Sequence, residues 1–147
     1  MNEKSSRQGQ GSASLVKPEH WHTWYVGFGI GNNFPEWQKW FCKPEWSHCF
    51  CFAQVGPFTQ VVNPGWDRLE IGLRDTSAEE YARQFKESGW TVIKVDLAPE
   101  KMKYKSIWIP NCVSVVKTVI GFNTGWLDYN PEKFAKALVR SGKAVVL

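Results

Sequence analysis

The chain has 147 residues, about one domain's worth, and 43% of them are hydrophobic, enough to bury a core without metals or disulfide staples. Its formal charge of +4 is mild, and its Lys and Arg are scattered, which argues against a nucleic-acid-binding face. No run approaches the roughly 18 consecutive apolar residues that a membrane span needs.

The N-terminal stretch MNEKSSRQGQGSASLVK (1–17) has no apolar run and so does not read as a secretory signal. Its Gly, Ser, Gln and Lys content predicts a flexible tail, followed by one domain over 18–147. A soluble, cytoplasmic chain is the expectation, and its four cysteines (42, 49, 51 and 112) are then expected to be free thiols.

WYVGFGI (24–30), aromatic and β-branched, predicts a strand. Its Gly27-Phe28-Gly29-Ile30-Gly31 run misses dinucleotide-binding spacing and reads as a turn with small-residue packing. FPEWQKWFC (34–42) spaces Phe34, Trp37 and Phe41 at helical intervals behind Pro35. SHCFCFAQ (47–54) and FTQVVN (58–63) flank VGP and predict a hairpin, with RLEIGL (68–73) as a third strand.

Ser77 and Glu80 form a capping-box signal for a helix running through Lys86 and stopping near Gly89. TVIKVDL (91–97) and KSIWI (105–109) follow as strands. A helix opening at Cys112 should run to about Gly121, and a last helix starts at Asn130-Pro131-Glu132 and ends at Gly142. KAVVL closes the chain as a strand. Strands and helices segregate rather than alternate, which predicts an α+β fold.

Cys112 is the first candidate for chemistry. Pro110 disfavours helical geometry at Ile109 and so holds the helix start nearby, while Val113, Val116 and Ile120 make one buried stripe. A thiol in a first turn feels unpaired amides and the positive end of the helix dipole, both of which favour thiolate. The competing account is a small, inert core residue.

A thiolate nucleophile needs a base, and the chain has three histidines. His20 and His22 adjoin the tail. His48 opens the most regular strand, where alternation puts it on one face with Phe50 and Phe52, and Cys49 and Cys51 on the other. The Cys112 helix is expected to cover the His48 face. Gln60 and Asn63 on the next strand are the polar candidates to orient the imidazole. A zinc site built from Cys42, Cys49, Cys51 and the histidines is disfavoured, because Cys49-x-Cys51 lacks the usual knuckle spacing. No metal or other cofactor is expected.

The histidine strand HCFCFAQVGPFTQ (48–60), followed by NCVSVVKTVIG at a helix start, resembles the circularly permuted papain-like group. That group includes NlpC-like cell-wall peptidases and lecithin:retinol acyltransferase-like enzymes. The resemblance spans about 45–122. It implies an antiparallel sheet packed against the cysteine helix, and a thiol peptidase or amidase with Cys112 as nucleophile and His48 as general base. It further implies Gln60, or Asn63 in its place, as the orienting residue. The backbone amide of Cys112, and Asn111, are the candidates for the oxyanion hole.

Peptide crosslinks of peptidoglycan are the substrate class the resemblance suggests, and a phage-encoded, virion-associated protein fits its size. The residues leave a non-catalytic alternative open. In that case an assembly or binding protein keeps the papain-like fold and docks partners through the tail and its aromatic surface.

Overall fold

The computed structural model describes residues 23–31, 40, 43–65, 68–97, 111–122 and 130–147. The expected tail, His20, His22, Cys42 and the strand expected over 105–109 lie outside the described residues, as does the helix expected over 34–42 apart from Trp40.

Among the described residues six strands and three α-helices follow in chain order: β1 (Thr23–Gly29), β2 (His48–Val55), β3 (Phe58–Pro64), β4 (Leu69–Arg74), α1 (Ala78–Glu87), β5 (Thr91–Asp96), α2 (Cys112–Ile120), α3 (Pro131–Arg140) and β6 (Ala144–Val146), with one 3-10 turn at Pro44–Trp46. The strands form one sheet in the order β4-β3-β2-β1-β5-β6 with every pair antiparallel. The class is therefore α+β, as the segregated elements predict.

Local chemistry accounts for the boundaries. The β2–β3 hairpin closes with Val55 opposite Phe58, and Gly56 in the loop takes a φ of +58°, the positive value that primed hairpin turns demand. Ser77 caps α1 by accepting from the Glu80 amide at 3.2 Å. The predicted reciprocal bond gives way to a competitor, because the Glu80 carboxylate turns to Arg83 at 2.7 Å. Asn130 caps α3 with Pro131 in its first turn, and Gly142 beyond its end has a φ of +69°.

The two faces of the sheet carry different cores. On one, Val26, Phe28, Cys49, Cys51, Val62, Ile93 and Val95 pack under α2 and α3 through Val113, Val116, Ile120, Phe134 and Leu138. On the other, Tyr25, Phe50, Phe52, Val61 and Val92 pack under α1 through Ala78 and Ala82, with Tyr81, Phe85 and Trp90 beside them. Hence α2 covers the Cys49/Cys51 face and α1 covers the face of Phe50 and Phe52, where alternation places His48. This corrects the expectation that the cysteine helix would lie over His48. The strand parity is as predicted; the helix chooses the face that offers its valines an aliphatic and thiol floor.

Gly27 and Gly29 are a second correction, since both lie within β1 rather than in a turn. Small-residue packing is nonetheless their role. A Cβ on Gly27 would stand 2.5 Å from the Phe50 ring, and one on Gly29 would stand 2.3 Å from the Trp90 indole. The bare backbone forms a shelf on which those rings lie, and Phe50, Phe85 and Trp90 then meet with centroids 4.7–5.4 Å apart.

Gly29→Ala should displace Trp90 and cost about 1–3 kcal/mol of stability, the usual range for overpacking. A urea titration checks this, with a midpoint equal to that of the parent chain as the contrary result.

Candidate functional site

The site forms where the first turn of α2 meets the open end of the sheet. Asn111 precedes the helix in extended conformation, and its side-chain oxygen accepts from the Ser114 amide at 2.8 Å. The Ser114 hydroxyl in return accepts from the Asn111 amide at 3.0 Å. This reciprocal cap makes Cys112 the first helical residue and fixes the direction of its side chain. The pairing of Asn111 with Ser114 is legible in the sequence as an Asn-x-x-Ser cap. The Oδ1 atom of Asn111 is thus committed to the helix.

The Cys112 sulfur lies within electrostatic reach of the His48 imidazole and of the Cys49 thiol, and each shifts the ionisation of the others. Because His48 and Cys49 are the first two residues of β2, they lie at the sheet's end. There a residue of either parity can be reached from the tip of a helix. His48 therefore meets Cys112 although α2 packs on the opposite face.

On its other side the imidazole is held by Asn63, with His48 Nε2 2.8 Å from Asn63 Oδ1. A carboxamide oxygen only accepts, so Nε2 carries the hydrogen and donates, which leaves Nδ1 as the nitrogen available to the thiol. Trp90 stands edge-on to the ring, centroids 6.4 Å apart. Behind it, Gly31 comes so close that a Cβ there would lie 3.2 Å from that of His48, and its amide donates to the Ser47 hydroxyl at 2.9 Å.

The register decides between the two candidate orienting residues. Gln60 pairs with Ala53 and shares a face with Val62 and Cys51, under α2, so it faces away from the imidazole. Asn63, three residues on, has the parity of Val61 and lies on the His48 face. The residue that bonds the imidazole is thus Asn63 and not Gln60, because an even offset from Val62 keeps Gln60 on the other side of the pleat.

The electrostatics separate the thiols. The Cys49 thiol pulls the Cys112 pKa down furthest; burial opposes it, and His48 pulls it further down. The net result lies well below an ordinary thiol. Burial alone would lower the pKa of His48, but the Cys112 thiolate and the bond to Asn63 outweigh burial and raise it. Burial pushes Cys49 far up, and Cys112 adds to that. Cys51, fully buried, is pushed up by burial as well.

Cys112 and His48 therefore favour a thiolate–imidazolium pair. It forms as pH rises through the lowered Cys112 value and is lost as pH rises through the raised His48 value. The two groups titrate as a coupled unit.

Among the described residues no three His, Cys, Asp or Glu side chains gather to hold a metal ion, and no helix is long and apolar enough to cross a membrane. Of the tryptophans, Trp90 packs beside the site and Trp46 against Phe28, centroids 5.7 Å apart, while Trp40 is 88% exposed. No family model, curated protein or solved structure matches the chain.

Iodoacetamide at about pH 6, where ordinary thiols are almost wholly protonated, should alkylate Cys112 and spare Cys49 and Cys51. Because thiolate exists above the pKa, removing a group that lowers it moves the labelling curve to higher pH. His48→Ala and Cys49→Ala should each do so, read by mass spectrometry across a pH series. A curve left in place by both variants would contradict the assignment of those shifts.

Proposed function

We propose that this protein is a thiol hydrolase, a peptidase or amidase, acting through Cys112, His48 and Asn63. The observation that carries the proposal is the gathering of three groups in order: the Cys112 thiol, the His48 imidazole whose charge acts on it, and the Asn63 carboxamide oxygen 2.8 Å from His48 Nε2. A nucleophile, a base and an orienting acceptor in that order are what acyl transfer to sulfur requires.

In this mechanism the Cys112 thiolate attacks an amide carbon, and the carbonyl electrons move onto oxygen. The backbone N–H of Cys112, among the unpaired amides at the start of α2, is placed to donate to that oxyanion. Asn111 fixes the cap through its Oδ1, which accepts from the Ser114 amide, and only its Nδ2 has hydrogens to offer an oxyanion. As the tetrahedral intermediate collapses, the C–N bond breaks and the His48 imidazolium protonates the departing amine. The neutral ring then takes a proton from water, which attacks the thioester carbon and releases the acid and the Cys112 thiolate. Asn63 holds the ring in the tautomer that allows both transfers.

The permuted papain-like resemblance supports peptide amides, peptidoglycan stem peptides among them, as the substrate class. It is likewise what supports a phage or cell-wall setting and a papain-like name for the sheet-and-helix frame. A second reading, a binding or assembly protein without turnover, is favoured by one observation. Leu69, Ile71 and Leu73 alternate along the edge strand β4 on one face, each more than half exposed. Among the described residues no strand pairs with the outer side of β4, and an apolar stripe on such an edge suits a docking surface.

Cys112→Ser should abolish hydrolysis of peptidoglycan stem peptides while leaving the circular dichroism of the fold intact. Asn63→Ala should lower kcat by roughly 10–100-fold, the scale of losses when an outer partner of a reacting group is removed. The rate should rise with pH as the Cys112 thiolate forms and fall again as the His48 imidazolium is lost. Undiminished turnover by Cys112→Ser would refute the mechanism. Equally slow alkylation of all the cysteines would select the binding role.

A further inference from the structure

One polar side chain next to this line is not used by the mechanism. The β3–β4 register puts Glu70 directly opposite Asn63. The Asn63 Nδ2 group donates to Glu70 Oε2 at 3.3 Å, and the second carboxylate oxygen, Oε1, lies 3.2 Å from Nε of Arg68. The line therefore runs beyond the three residues already named, from Arg68 through Glu70, Asn63 and His48 to Cys112.

We infer that Glu70 is a positioning residue that sets the hydrogen-bond polarity of the whole line; the inference rests on the hydrolase reading of the site. A carboxamide can face the imidazole with either end, oxygen or NH₂, and the two are nearly equal in shape. A carboxylate accepts only. Facing Asn63, it draws the NH₂ to itself and turns Oδ1 toward His48 Nε2. The ring must then carry its hydrogen on Nε2, so Nδ1 presents a lone pair to the Cys112 thiol and can take its proton.

With the amide reversed, NH₂ would point at Nε2, the neutral ring would protonate Nδ1, and the base would face the thiol with its lone pair occupied. Glu70 is 56% exposed and touches neither sulfur nor ring, so it acts only through Asn63. Arg68 holds the carboxylate on its other oxygen, which leaves Oε2 directed at the amide.

The test compares Glu70→Gln, Glu70→Leu and Glu70→Lys in the full chain. A glutamine can still offer an oxygen to Asn63, a leucine offers nothing, and a lysine is a pure donor that favours the reversed amide. At about pH 6 the alkylation of Cys112 should stay within about twofold of the parent for Gln, slow about threefold for Leu and about tenfold for Lys, on the scale of outer-partner losses. A role in charge alone would make Gln as slow as Leu.

A second readout needs no reactive thiol. In a Cys112→Ala background, nitrogen-15 NMR of the neutral ring should show the Nε2–H tautomer of His48, and adding Glu70→Lys should move it toward Nδ1–H. An unchanged tautomer in the Glu70→Lys chain, with all three variants labelled like the parent, overturns the inference. A parent Cys112 that labels no faster than a free thiol refutes the hydrolase reading instead, and the tautomer still decides the role of Glu70.

Discussion

The first turn of α2 presses against the first two residues of β2, and this contact sets the geometry and the charge of the site together. Cys112 is placed by the Asn111–Ser114 cap, while His48 and Cys49 are placed by pairing of β2 with β1. Neither partner is adjustable: the cap fixes the helix start, and the register opposes Gly29 to His48 and Phe28 to Cys49. A sulfur held between a fixed strand and a fixed helix tip loses little entropy when it pairs with the imidazole, because the backbone around it is already ordered.

The two cores serve that contact differently. Under α2 and α3 the packing mixes aliphatic side chains with Phe28 and Phe134 and contains Cys49 and Cys51, so the floor beneath Cys112 includes a thiol. Under α1 the packing is aromatic, and Trp90 stands edge-on to His48. The glycine shelf of β1 allows this, since Trp90 occupies space that any side chain at position 29 would need. The imidazole is thus confined by Asn63 in its plane and by Trp90 at its side. In the proposed mechanism the ring exchanges protons with two partners in succession, and such a ring must keep one orientation through both steps.

The strands, their alternation and all three helices were legible in the sequence, because hairpin glycine, caps and periodicity are local signals. The pairing of Cys112 with His48 was also within reach, through motif spacing. The side of the sheet that α2 would take was not, for the choice depends on which face offers Val113, Val116 and Ile120 a complementary floor, a tertiary property. Choosing Asn63 over Gln60 needed the register, which a single-residue shift inverts. Asn63 itself was legible as the last residue of the predicted run 58–63, whose strand continues to Pro64. Glu70 was invisible for lack of the register, since nothing in RLEIGL says which residue lies opposite Asn63.

The least expected feature is that two neighbouring cysteines are shifted in opposite directions. Cys49 and Cys112 are the same chemical group, yet the Cys49 thiol is held well above the ordinary range, chiefly by burial, and the Cys112 thiol well below it, chiefly by Cys49. Two adjacent thiols cannot both ionise at modest cost, since the second charge would face the first. Burial decides which one does: Cys49 is wholly enclosed in the core, so its proton stays, whereas Cys112 stands at a helix N-terminus beside an imidazole and gives its proton up. Once Cys49 keeps its proton, it must place it on some acceptor, because a buried donor without one is costly. The Cys112 sulfur is the group beside it, and the two thiols shift each other in opposite directions, so the same neighbour that keeps the Cys49 proton in place favours the Cys112 thiolate.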